Sequence, residues 1–473
     1  LSVCWDVYAK RWFHLYDEPI PHHDPLHWTG PYQNWNYMCA ECHSTELDRG
    51  FDLATNTYDT TWSEIDVGCQ ACHGPGSEHV AWAEQVGEDD LVADDDPKGL
   101  VVDLGAANSR VQIETCARCH SRRNIVNGDY EHGHPLLDHY DPELLVAPLY
   151  HADGQILDEV YVYGSFLQSK MHAKGVRCTD CHDPHTARLR EDGNAVCVRC
   201  HQPNPPPEFP SLAKRLYDDP EHHHHEPGTS GAFCVDCHAP ATTYMQVDPR
   251  RDHSFRVPRP DLTAKVGTPN ACNGCHAEQN PAWAEKHIRS WSSISGLGTP
   301  HVATTFAAAR QGDESSLPGL LEIARDSVRP AIVRATALRE MQRFGDPRVL
   351  ASLRRAAEDP EGLVRAAAID GVNALIQRGA PPEGLRLKIE ILAPRLADDL
   401  RLVRTVAARG LASVPRAQLD EATRKAFDAA LEEYVARQRS VEDRPDAWLN
   451  LGVLHEDLGD PQAAEAAYLQ ALR

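Results

Sequence analysis

The 473-residue sequence contains no apolar run approaching the roughly eighteen residues of a membrane-spanning helix. It is short of positive charge: 47 Lys and Arg stand against 70 Asp and Glu, a formal balance of −23. Counterion release from nucleic acid needs clustered Lys and Arg, so nucleic-acid binding is excluded as a function class. There is no charged-then-apolar leader, and the first residue is Leu1 rather than Met. These two features predict a processed chain or a fragment. Fifteen cysteines in a chain of this length are too few for a disulfide-packed miniprotein. None occurs beyond Cys275.

What the cysteines do instead is set by their placement. Fourteen of them form seven copies of C-x-x-C-H, numbered here as motifs 1 to 7: Cys39-Cys42-His43, Cys69-Cys72-His73, Cys116-Cys119-His120, Cys178-Cys181-His182, Cys197-Cys200-His201, Cys234-Cys237-His238 and Cys272-Cys275-His276. Chance at these residue frequencies gives about 0.03 copies. Two thiols separated by two residues reach one edge of a porphyrin and add to its vinyl groups, and the adjacent His supplies an axial nitrogen to iron. Zinc would pair such half-sites, and seven is odd; zinc also gives no reason for a His after every second Cys. The spacing therefore predicts seven covalently bound haem c groups. Cys4 is left over and reads as a small buried residue or a free thiol.

Seven proximal histidines leave nineteen of the 26. Such a surplus predicts that most irons take a second imidazole. By context the candidate distal ligands are His79, His172, His185 and His253, followed by His151 and His27. In the run His222–His225 at least one member is expected to bind iron, with His225 or His223 favoured. His14, His22, His23, His132, His134 and His139 are weaker candidates, and His287, His301 and His455 read as structural.

The chain is predicted to be mainly α with much coil. Residues 1–295 form a heptahaem cytochrome c domain organised around its haems, residues 296–440 form HEAT-like helical repeats, and residues 441–473 form one tetratricopeptide-like repeat. The motif spacings run from 19 to 62 residues and are interrupted by Pro and Gly, so the first part is no regular solenoid. Short helices are predicted from Ser77 and from Ser165 to a stop at Gly175. Beyond Gly296, the segments Ala331–Leu338, Gly362–Ile369 and Arg401–Ala408 resemble one another, with a shared Val-Arg pair recurring after 31 and 39 residues. Asp-Pro pairs mark turns at Asp346-Pro347 and Asp359-Pro360. Porphyrins are expected to replace much of the apolar core in the first part, and the helical tail is expected to fold independently.

Several strings carry a family resemblance: Trp28–His43, Tyr150–Ile156, Val160–Ser169 and Asp248–Asp261. They resemble multihaem cytochromes c with tetratricopeptide or HEAT repeats, distant kin of the multihaem nitrite reductase and hydroxylamine oxidoreductase group. That resemblance implies a further haem segment upstream of the Leu1–Asp6 string. The nitrite reductases often use C-x-x-C-K at the active haem, and no such motif is present here.

The readings favour electron transfer over catalysis: a chain of mostly bis-His haems, with the helical repeats docking redox partners. One alternative is a reductase or oxidoreductase of a small nitrogen or sulfur oxyanion at one open haem. Another is a subunit of an extracellular cytochrome filament or homo-oligomer. Covalent haem attachment takes place outside the bacterial cytoplasmic membrane, so a periplasmic or extracellular location is expected.

Overall fold

The computed structural model describes residues 3–16, 18–87, 92–93, 96–105, 108–291 and 296–472. The expected boundary at residue 295 lies outside the described residues. Helix dominates, at about 48%, and sheet among the described residues is confined to five two-stranded antiparallel ribbons. No helix among them is long and apolar enough to cross a membrane.

The described residues up to Ser290 are mostly short helices, turns and two-stranded ribbons, with Ser109–His120 as the longest helix, because the Pro- and Gly-rich sequence offers few uninterrupted turns of helical periodicity. The helix predicted near Ser77 spans Ser77–Gln85. The one predicted from Ser165 is split into Tyr163–Phe166 and Lys170–Ala173. Ser169 causes the break: its side chain accepts the His172 N–H and so starts a new helix. Gly175 ends that helix at φ +79°.

From Val302 the chain is paired helices. The three look-alike segments each open a helix, at Ala331–Met341, Gly362–Leu375 and Arg401–Leu411. Their shared Val-Arg pair has a physical role. Val333, Val364 and Val403 enter the core, while the arginines form a ladder along the stack. Arg334 pairs with Asp359 in the following turn, Arg365 grips Asp398 at 2.7 and 2.8 Å, and Arg404 holds Glu433 at 2.8 and 2.9 Å. The Asp-Pro pair acts as a helix start: the Asp346 side chain caps the helix Pro347–Ala356 by accepting the Arg348 N–H at 2.8 Å. The chain closes on the helical hairpin Pro445–Leu458 and Pro461–Ala471. There Gly452 lies directly under the Tyr468 ring, where a Cβ would clash.

The core of the tail also takes in residues from the first part. Val126, Leu137, Leu145, Leu149, Tyr150, Ile156 and Val160 belong to the same buried cluster as the tail helices. Polar contacts close the seam. Arg310 donates to the carbonyls of Leu145 (2.6 Å) and Tyr150 (3.0 Å). Thr336 Oγ1 accepts the Leu145 N–H at 3.1 Å. Arg437 pairs with Asp141 and Arg49 with Asp443, each at 3.2 Å. The tail, expected to fold independently, shares one buried cluster with the segment between motifs 3 and 4, which supplies apolar residues to it.

Candidate haem sites

Each motif is built on a short helical turn, for example Cys69–His73, Cys178–Cys181 and Cys234–His238. One turn brings side chains three residues apart onto a common face, so both sulfurs point the same way.

Four proximal imidazoles face a second imidazole. His73 faces His185 with ring centroids 6.4 Å apart, His182 faces His253 at 6.3 Å, His238 faces His222 at 6.2 Å and His276 faces His225 at 6.2 Å. The ring planes differ by 15°, 22°, 6° and 33°. An imidazole nitrogen lies about 2 Å from a bound first-row metal and about 1.1 Å from its ring centre, so two rings clasping one metal are spaced by about 6.2 Å. The residues present fit a haem iron at all four places.

Hydrogen bonding sets which ring nitrogen is available. Nδ1 of His238 bonds the Arg256 carbonyl at 2.6 Å, that of His253 the Arg251 carbonyl at 2.9 Å, and that of His225 the His223 carbonyl at 2.5 Å. A nitrogen that bonds a carbonyl carries the proton, which leaves the Nε2 lone pair for metal. His223 has the opposite arrangement: its Nδ1 accepts the His225 N–H at 3.2 Å, so the neutral ring carries its proton on Nε2. The histidine run therefore offers His222 and His225, and not His223. His222 had no sequence signal beyond membership of the run. Burial, and then the neighbouring His238, push its imidazole down to about 4, which keeps it neutral as a metal ligand must be. Replacing His222 by Met is expected to add the far-red sulfur-to-iron band of a Met-ligated haem, whereas His223→Met leaves the spectrum unchanged. A band produced by His223→Met alone would reverse this choice.

The other predicted residues are placed differently. His79 bonds the Lys98 carbonyl through Nδ1 at 2.6 Å, the ligand-type arrangement, but stacks on Trp82 at 5.6 Å. His172 meets Phe166 edge-on. His27 Nδ1 lies 2.8 Å from Thr29 Oγ1, and His151 is half-buried beside Asp153. His301, read as structural, accepts the Ala303 N–H on Nδ1 and is pushed by burial to about 4. Among the described residues, no imidazole faces His43, His120 or His201 at the same spacing. His43 and Cys39 line a cavity of about 620 Å³ with Trp35, Ile65, Asp66 and Val67. His201 meets the Tyr217 ring edge-on at 5.9 Å.

The motifs touch in a definite order. The Cys42 and Cys119 side chains lie close together, as do those of Cys116 and Cys178 and those of Cys197 and Cys234. Cys72 and Cys116, Cys181 and Cys200, and Cys237 and Cys272 lie within electrostatic reach of each other. Backbone contacts agree. Arg118 donates to the Ala71 carbonyl at 3.3 Å, Arg199 to the Asp180 carbonyl at 3.1 Å, and the Asn194 side chain accepts the Cys234 N–H at 2.8 Å. Motifs 1 and 2 thus both meet motif 3, and motifs 3 to 7 follow in a row. The two exposed motif cysteines are Cys69 and Cys275, at opposite ends of this arrangement.

Comparison with known families agrees with this geometry. The model for a doubled CXXCH motif matches residues 171–205, and that for cytochrome c554 and c-prime matches residues 27–74. HEAT repeats match residues 301–373 and 317–412. The chain is a multihaem c-type cytochrome with C-terminal HEAT repeats. No curated protein and no solved structure matches it. The cytochrome binds haem c covalently through its C-x-x-C-H motifs, and its HEAT repeats are protein-interaction modules.

Proposed function

We propose that the cytochrome passes single electrons along its row of attachment motifs, which carry seven haem c groups in all. The observation that carries this reading is the set of four imidazole pairs at 6.2 to 6.4 Å. When bound, haem c would supply an iron that gains and loses one electron, and a pair of imidazoles would keep that iron closed to small ligands. His185, His253, His222 and His225 would hold it together with His73, His182, His238 and His276. Contact between successive motifs supports a path through motifs 3, 4, 5, 6 and 7, entered from motif 1 or 2. Exposure of Cys69 and Cys275 supports partner contact at the motif 2 and motif 7 ends.

The HEAT stack, with the tetratricopeptide-like hairpin after it, would dock the redox partner. A formal charge of −23 favours a partner with a basic face. Because haem attachment takes place outside the bacterial cytoplasmic membrane, a periplasmic or extracellular location goes with this reading.

The test is the spectrum of the dithionite-reduced holoprotein before and after carbon monoxide. Carbon monoxide is expected to perturb no more than three of the seven haems, those of His43, His120 and His201. A change in a larger share would show that the facing imidazoles do not hold iron, and the closed-relay reading would fail.

A further inference from the structure

The residues between the two cysteines of each motif are free of the attachment chemistry, yet three of them converge. Glu41 of motif 1, Ala71 of motif 2 and Arg118 of motif 3 all occupy the second spacer position. Arg118 reaches the Ala71 carbonyl at 3.3 Å and lies over the Tyr130 ring at 4.3 Å. Arg123 follows on the ribbon Arg123–Ile125, with only 8% of its side chain exposed. It donates to the Arg118 carbonyl at 2.6 Å, stacks 3.6 Å over the Tyr140 ring, and approaches both Glu41 (3.4 Å) and the Cys42 sulfur (4.0 Å). Tyr140, 1% exposed, donates its hydroxyl to Glu41 at 2.7 Å.

Opposite charges meet at this junction. Glu41 faces Arg123, Arg49 and Arg118. Arg49 is matched separately by Asp443 at 3.2 Å. Tyr130 and Tyr140 stay neutral, because burial pushes their phenols up. Among the described side chains, the guanidiniums of Arg118 and Arg123 thus share the Glu41 carboxylate. The Arg118 Nε is buried and makes no hydrogen bond among the described residues. An interior positive charge is screened weakly, so it acts strongly on any neighbouring centre whose charge changes by one.

We propose that Arg118 and Arg123 raise, and Glu41 lowers, the reduction potential at the meeting point of motifs 1, 2 and 3, and that together they set whether an entering electron resides there. They are positioning residues that act through charge; none is assigned as an iron ligand. The inference rests on the electron-transfer reading above. It also accounts for why motif 3 carries an Arg where motif 1 carries a Glu, a choice that thioether attachment leaves open.

The test is a spectroelectrochemical titration of the full-length holoprotein, with haem content checked by intact mass. Arg123→Gln and Arg118→Gln are expected to lower at least one midpoint so that the reduced-to-oxidised ratio at fixed potential falls about tenfold, or 59 mV for a one-electron couple. Glu41→Gln is expected to move the same midpoint upward, and Arg123→Lys to leave it in place. Opposite signs for the Arg and Glu variants cannot come from loosened packing, which would shift both alike. Shifts of the same sign, or none, would overturn the proposal. If Arg118→Gln fails to attach haem, the Arg123→Gln and Glu41→Gln pair decides alone. A parent protein lacking haem by mass would instead refute the electron-transfer reading itself.

Discussion

A chain with all fourteen motif cysteines changed to serine should lose the order of its first part while keeping its tail. Between residues 167 and 290 the buried aliphatic side chains are Val196, Ala232, Ala239, Leu262, Ala284 and Ile288, with Pro260 beside them. Ordering backbone costs about 1–2 kcal/mol per residue, whereas burying a Val, Leu or Ile recovers about 1.5–3 kcal/mol. Three such residues, with three alanines beside them, cannot order more than a hundred others; the porphyrins must supply the missing apolar contact. The stretch around Val126–Val160 is different, because its side chains lie in the tail's own cluster. Limited proteolysis of the haem-free chain is expected to destroy residues 1–110 and 170–290. Two peptides should survive and co-elute, one covering residues 125–160 and one covering the helices from Val302 onward. Release of the first peptide, or a wholly resistant chain, would contradict this account.

The second large effect concerns the arginine ladder. Arg365→Met is expected to destabilise the helical tail by about 3–5 kcal/mol, since it strands a buried carboxylate. The pair is enclosed, with 9% of the Arg365 side chain and 3% of the Asp398 side chain exposed. Burial by itself would raise the Asp398 carboxyl, but the hydrogen bonds from Arg365 outweigh it and hold the group below the usual carboxylate range. A depressed carboxyl contributes stability that is present above its unfolded value of about 3.9 and is lost as the pH falls through the folded value. The difference between parent and variant in urea unfolding should therefore be full at pH 7 and shrink below about pH 4. Arg365→Met combined with Asp398→Leu should recover most of the loss. The exposed pair Arg339–Asp370, at 51% and 48% exposure, provides the contrast: Arg339→Ala should cost less than about 1 kcal/mol. Equal losses at Arg365 and Arg339 would show that burial does not govern the ladder.

The sequence by itself determined the chemistry of attachment. C-x-x-C-H is a local code: thiol reach and the adjacent imidazole lie within five residues, so no tertiary contact is needed to read it. The paired-helix tail was legible for the same reason, since the Val-Arg repeat and Asp-Pro starts act within one or two turns. His185 and His253 were singled out by context and His225 as one of two favoured members of the histidine run, and each faces the ring of a motif histidine in the structure.

What only the tertiary structure decided involves residues far apart in the chain. His185 faces His73 across more than a hundred residues, and the choice of His222 and His225 over His223 depends on which ring nitrogen a neighbouring backbone group occupies. The order of the motifs and the meeting of Glu41, Ala71 and Arg118 are likewise non-local. The shared core was hidden too, because the run from Val126 to Val160 is too short and irregular to announce its partner. Cofactor identity follows from bonds that one short stretch of chain can make, but the pairing of imidazoles, the order of the motifs and the meeting of charges follow from which distant stretches the packing brings together.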